Sequence, residues 1–174
     1  MIQEKTIART LRIVAASTLA LGALGLTGCS MLNQFMPSSA PSRDAATGEV
    51  TEKQDNADVF AIRVGDCVDT NSAGSQISSL PVVPCAESHS DEAFFAYKVA
   101  DGDFPGEDAI NTEAMDKCLP EFEAFVGSSY EESALDFWPM TPTSGSWSQG
   151  DREVVCFVYD TAGDTVGSLK GSGR

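Results

Sequence analysis

The sequence predicts an α+β domain: an antiparallel sheet with a kinked helix, or helix pair, packed on one face and two disulfides. Three observations predict it. Short runs of β-forming residues, divided by Gly, Pro and Asp turns, fill most of residues 58–174. A single block, Glu107–Val126, repeats apolar residues at three- and four-residue steps. Cys67, Cys85, Cys118 and Cys156 all fall in the same stretch. Helices confined to one block among hairpin-connected strands segregate to one face of an antiparallel sheet.

The first 28 residues read as an export signal. Lys5, Arg9 and Arg12 precede an uncharged run from Ile13 to Gly25, which is short of the roughly twenty apolar residues a membrane span needs. The run closes on Leu26-Thr27-Gly28-Cys29, which resembles the bacterial lipobox. Small residues there let a peptidase bind extended backbone closely, and the cysteine thiolate accepts a diacylglyceryl group. Cys29 is therefore the expected lipidation site. Two or three acyl chains anchor stably, since each buried methylene contributes about 0.8 kcal/mol. Residues 29–57 then read as the lipidated cysteine and a flexible tether, because Ser, Pro, Ala and Thr dominate and few large apolar residues are present.

Order is expected from Asp58. Val59–Val64 reads as a strand stopped by Gly65-Asp66. Residues 70–79 form a loop. Val82-Val83, between Pro81 and Pro84, fits only a short edge strand. Glu92–Val99 is a further strand. In Glu107–Val126, Ile110, Ala114, Cys118, Phe122, Phe125 and Val126 make one apolar face. Pro120 removes a backbone donor, so the helix should kink there or restart, and Gly127 should end it. Leu135–Met140 and Glu153–Tyr159 are strands, Pro142–Asp151 a loop, and Thr165–Leu169 a last short strand.

The full chain holds 11 Lys+Arg and 26 Asp+Glu. Removing Lys5, Arg9, Arg12 and Glu4 leaves 8 basic and 25 acidic residues, a net charge of −17. Such a surface repels nucleic acid and anionic polymers, which excludes nucleic acid as a partner. Four cysteines in an exported domain read as two disulfides, and three pairings exist. Cys118 lies on the apolar helix face. Cys156 alternates with Val154 and Val158 on one face of its strand, and Val155 and Phe157 are also apolar, so the face is not forced. If the Val154 side meets the helix, Cys118 and Cys156 pair. Cys67 and Cys85, both at strand ends beside turn residues, then pair with each other.

Few residues carry chemistry. His89 is the sole histidine. A serine nucleophile at Ser88 or Ser90 with Asp91 as orienter is poorly placed for it, since strand neighbours point to opposite faces. A metal set of Cys67, Cys85 and His89 competes with disulfide pairing, and no cofactor or metal is expected. Asp101, Asp103, Glu107 and Asp108 lack the spacing of a calcium loop, and Glu107-Asp108 suits a helix first turn. Phe137, Trp138 and Trp147 fit a core better than a stacking platform. His89, Trp138, Trp147 and Arg152 make up the candidate binding surface.

Val64-Gly-Asp-Cys67, Val83-Pro-Cys85 with His89, Asp101-Gly102, Phe104-Pro-Gly106, Cys118-Leu-Pro-Glu-Phe-Glu-Ala-Phe-Val-Gly127, Trp147-Ser-Gln-Gly-Asp-Arg-Glu-Val-Val-Cys156 and Gly167-Ser-Leu-Lys-Gly171 together resemble the actinobacterial septum formation-related domain family. The resemblance covers residues 58–171; Phe125 stands where the family pattern has Tyr. It implies an exported, membrane-attached protein linked to division septa, and it supplies no catalytic residues. The expected role is a non-enzymatic, lipid-anchored binding module on the outer face of the cell membrane, meeting an envelope protein or glycan. An envelope hydrolase acting on glycan or peptide and a lipoprotein that captures a small ligand are the alternatives.

Overall fold

The computed structural model describes residues 40–71 and 77–174. The signal, Cys29 and the rest of the span up to residue 39 lie outside the described residues. Eight strands and two helices follow in order: β1 Gln54–Asp58, β2 Cys67–Val68, β3 Ser79–Val83, β4 Ser88–His89, β5 Asp91–Lys98, α1 Glu107–Val126, β6 Leu135–Met140, α2 Ser144–Ser148, β7 Glu153–Asp160 and β8 Thr165–Val166. Six strands form one antiparallel sheet in the order β1-β3-β2-β5-β7-β6, and β4 pairs with β8 in a small second sheet. The fold is mixed α+β with one main helix, as the sequence predicts.

The sheet is covered on both faces. Val154, Cys156 and Val158 of β7 pack with Phe94 and Phe137 under Ile110, Ala114, Cys118, Phe122 and Val126 of α1. Val155 and Phe157, on the other face, pack with Val50, Ala57, Val59, Ile62, Val68, Leu80, Val82 and Ala93. The helix side of β7 is thus the Val154 side, and Cys118 bonds to Cys156 with Cα atoms 6.1 Å apart. Cys67 bonds to Cys85 across 5.2 Å. A bulge between Ala93 and Phe95 turns both Phe94 and Phe95 toward the helix side.

Order begins earlier than Asp58. Residues 40–53 fold back as an arm in which Val50 is buried, Arg43 bridges to Val50, and Gln54–Asp58 is a sheet strand. The polar composition of this stretch hid it. Its apolar contribution is only Pro41, Val50 and Ala57, and backbone pairing supplies the rest. Val59–Ala61 is a 3-10 turn, not a strand, because Asp58 Oδ1 accepts the N–H of Phe60 at 3.0 Å and closes the turn. β3 is interior, not an edge strand. Pro81 is tolerated there because β1 carries one extra residue opposite it, between Gln54 and Ala57.

α1 runs unbroken through Pro120. The proline is exposed, so the carbonyl it cannot bond faces water, and the buried stripe from Ile110 to Val126 stays in register on either side. Gly127 ends the helix in the left-handed conformation (φ 83°), its N–H donating to the Glu123 carbonyl. α2 replaces the expected loop: Thr143 Oγ1 accepts the Ser146 N–H and Ser146 Oγ accepts the Thr143 N–H, a reciprocal cap that nucleates one turn. The outer strand β6 is closed to further pairing. Leu135 N–H donates to Ser133 Oγ, Phe137 N–H to Asp136 Oδ1, and Pro139 has no donor.

The loops closed by the two disulfides span 38 and 18 residues. Replacing Cys118 and Cys156 together by Ala should lower unfolding free energy by about 4 kcal/mol, and the Cys67/Cys85 pair by about 3 kcal/mol. Urea denaturation of each double variant reads this; unchanged midpoints would mean the bonds do not form in the folded protein.

Candidate functional site

The side chains singled out by sequence do not converge. Trp147 packs in the helix-side cluster and Trp138 against the opposite one. They build two separate knots, one around Trp147 and Arg152 and one around the Cys67–Cys85 bond, with Trp138 over the second face of the sheet.

In the first knot the Arg152 guanidinium lies 3.7 Å above the Trp147 ring and donates to the carbonyls of Trp147 (2.9 Å) and Asp151 (2.6 Å). Its Nε is 3.2 Å from the exposed Asp101 carboxylate, though not aligned for a hydrogen bond. Trp147 Nε1 donates to the Gly102 carbonyl (3.1 Å), and Phe104 meets the indole edge-on at 5.6 Å. Gly150 has a φ of 96°, which lets the chain turn back so that Arg152 covers the indole. These contacts occupy the indole N–H of Trp147 and Nη1 of Arg152, so both act as packing elements that join the loop after β5 to the segment before β7.

In the second knot, Asp66 is 3% exposed and grips Arg43 through both carboxylate oxygens; Arg43 also donates to the Ala61 carbonyl (3.1 Å). Hydrogen bonding to Asp66 raises the Arg43 pKa further. The Arg63 N–H donates to the same carboxylate (2.8 Å). Gly65, at φ 94°, donates to the Ala93 carbonyl, and Ala93 returns a bond to Asp66. Glu92, 2% exposed, accepts from Ser168 Oγ (2.7 Å) and the Leu169 N–H (2.6 Å), drawing in the segment after β8. Glu92 lies within 4.8 Å of both Cys67 and Cys85 sulfurs, but those sulfurs are bonded to each other and are not thiolates.

His89 is 1% exposed. Its Nδ1 meets the Glu87 carbonyl at 2.9 Å and its Nε2 meets Thr165 Oγ1 at 3.3 Å, so the ring bridges β4 to β8. Asp91 does not orient it. That carboxylate instead accepts from Trp138 Nε1 (2.7 Å), Ser90 Oγ and Thr70 Oγ1. Trp138 stacks on Phe157, centroids 4.8 Å apart and planes 17° from parallel, so one indole face is buried. Glu107 and Asp108 occupy the first turn of α1, as expected. Sequence reasoning missed the roles of Arg43, Asp66 and Glu92. The Gly-Asp-Cys stretch carried Asp66 and the Gly-Ser-Leu stretch carried the donors that Glu92 accepts from, but the paired residues lie 23 and 76 positions apart.

A groove of about 110 Å³ opens on the second face beside Phe60, Ile77, Met140 and Glu153. No helix among the described residues is long and apolar enough to cross a membrane.

The Septum formation family description matches residues 29–156, more than half of the chain. The chain belongs to the Septum formation family. The match reaches N-terminal to the 58–171 span expected from motifs, taking in the stretch that contributes Arg43, Val50 and β1. No curated protein and no solved structure matches this member of the family. Its two disulfides point to an extracytoplasmic location, where thiols oxidise and stay paired.

All three tyrosines of this family member are held as neutral phenols. Burial, with Glu113 nearby, pushes Tyr97 up to about 12, and its hydroxyl has no hydrogen-bond partner. A hydrogen bond to Asp136 raises Tyr130; burial and the same carboxylate raise Tyr159. A raised folded-state value means this stability is complete below the unfolded phenol value of about 10 and is lost as pH climbs toward 12. Absorbance titration at 295 nm should show no tyrosinate step at pH 10 in the folded protein; a full step there would contradict the placements.

Proposed function

We propose that this member of the Septum formation family is a non-catalytic binding module, lipid-anchored at Cys29 on the outer face of the cell membrane, acting in septum formation or envelope growth through an envelope protein or glycan. The observation that carries the non-catalytic reading is the employment of its buried polar groups. Asp66, Asp91 and Glu92 hold donors from the distant Arg43, Trp138 and Leu169, Asp160 holds the Arg174 side chain, and His89 bridges two strands. A general base needs a proton acceptor free to face substrate, and these acceptors face the fold. The family description supplies the septal context, the disulfides support an extracytoplasmic site, and the Leu26-Thr27-Gly28-Cys29 box supports the anchor.

The anchor is tested on protein from the native envelope. Mass spectrometry should find an N-terminal Cys29 bearing a diacylglyceryl thioether, and Cys29→Ala should leave an uncleaved precursor or release the protein from the membrane fraction. A mature N-terminus elsewhere without acyl groups would refute it. The binding role is tested by retention of envelope proteins or glycan on the immobilised mature chain; glycan or peptide cleavage that disappears with one carboxylate would refute it instead.

A further inference from the structure

The groove on the second face has walls of two chemical kinds. The apolar wall is made by Val59 and Phe60 of the 3-10 turn, Ile77 before β3 and Met140 at the end of β6. Val155 of β7, 4% exposed, lies at its floor. The acidic wall is Asp151 and Glu153, where the chain enters β7. Phe60 is 62% exposed and is the bulkiest of the exposed apolar side chains among the described residues. A large ring left in water at the rim of a concave, mostly apolar site marks a contact surface.

The two carboxylates differ from those that hold the fold. The ion pairs among the described residues use other acids: Asp66, Asp55, Glu113, Asp101 and Asp160. Lys98 faces Glu153 across the β5–β7 pair, yet no ion pair joins them. Asp151 Oδ1 accepts the Glu153 N–H at 3.0 Å, a local bond, and the Glu153 carboxylate accepts none among the described residues. No third metal-ligating side chain joins them; the one such cluster among the described residues is Cys67, Cys85 and Glu92. The groove thus offers an apolar bed beside two carboxylates that lack a cation.

We propose that this groove receives a lysine or arginine side chain carried on an extended apolar segment of a partner protein. The proposal rests on the binding-module reading above and names the chemistry of its partner. The methylene stem of a long basic side chain lies on Val59, Met140 and Val155, and its charged head meets Asp151 and Glu153, the division such side chains adopt wherever apolar and polar surfaces adjoin. Phe60 adds an aromatic ring at the rim, against which the cation or its apolar neighbours pack. A chain with 26 Asp+Glu against 11 Lys+Arg draws a basic partner to its surface, and the groove fixes where that attraction ends in contact. The same carboxylates repel an acidic segment. A neutral glycan finds little to bond here, because the Thr143 and Ser146 hydroxyls are engaged in capping α2 and Thr141 Oγ1 donates to Asn111.

The test is a titration of the isotope-labelled chain from residue 29 onward, carrying Cys29→Ser, with acetyl-Leu-Lys-Leu-amide and acetyl-Leu-Arg-Leu-amide, followed by backbone amide shifts. The amides of Phe60, Met140, Glu153 and Val155 should move, and those of α1 should not. Norleucine in place of the basic residue should weaken binding about tenfold, as should Asp151→Asn combined with Glu153→Gln. The asparagine keeps an acceptor for the Glu153 N–H, so the turn into β7 persists. Phe60→Ser, at an exposed position, should weaken binding several-fold. Asp116→Asn with Glu121→Gln, which removes the same charge from the exposed side of α1, should change nothing. Equal losses from the two double variants would reduce the effect to net charge and overturn the proposal. So would the absence of shifts with either basic peptide, shifts centred elsewhere, or tighter binding of an N-acetylglucosamine oligomer at the same amides. Undiminished retention of envelope proteins by the Asp151→Asn, Glu153→Gln chain would also overturn it, while leaving the binding-module reading in place.

Discussion

β7 buries five consecutive side chains, Val154 to Val158, three toward α1 and two toward the opposite face. A strand buried on both sides cannot sit in a sheet with one face in water. Everything else in the domain answers that constraint. α1 covers one face and is bonded to β7 through Cys118. The second face needs its own cover, which no second long helix supplies. The arm, β1 and the 3-10 turn supply it, bringing Val50, Ala57, Val59 and Ile62 over Val155 and Phe157.

Covering a sheet with a mostly polar segment requires fixed points, and Arg43–Asp66 is the strongest of them. Both side chains are largely withdrawn from water, so removing one strands a buried charge, at a cost of about 3 to 5 kcal/mol. Asp66 also terminates the Arg63 turn and shares backbone bonds with Ala93, so the same group that holds the arm aligns β2 with β5. At the other end of the chain, Glu92 holds Ser168 and Leu169, and the Gly171 and Gly173 N–H groups donate to the last carbonyls of α1, those of Phe125 and Val126. The segments flanking the core are thus bound by buried carboxylates or helix ends.

The sequence made the periodic elements legible. The Glu107–Val126 stripe and the Leu135–Met140 and Glu153–Tyr159 runs follow from side-chain spacing, whereas the cysteine pairing rests on which face of β7 meets the helix, a choice that spacing leaves open. The uninterrupted EVVCFVY run already carried the signature of two-sided burial, and reading it as a one-sided strand hid the need for a second cover. Gln54–Asp58 was illegible because its place depends on pairing with β3, 23 residues on at Ala57–Leu80 and 28 at Gln54–Val82, not on its own apolar content. The same holds for the singled-out polar residues. His89, Trp147 and Arg152 looked like surface candidates because their partners, Thr165, Gly102 and the Trp147 ring, are set by tertiary folding.

The central claim is that residues 40–57 are part of the fold and not a tether. The most direct measurement compares two chains, one beginning at Ala40 and one at Asp58, by urea denaturation followed by tryptophan fluorescence. The account predicts a cooperative transition for the chain from Ala40, and for the chain from Asp58 a loss of cooperativity or a fall of several kcal/mol, since it lacks Arg43, Val50 and β1. Equal midpoints and slopes for the two would contradict it, and would return residues 40–57 to the role of a passive linker.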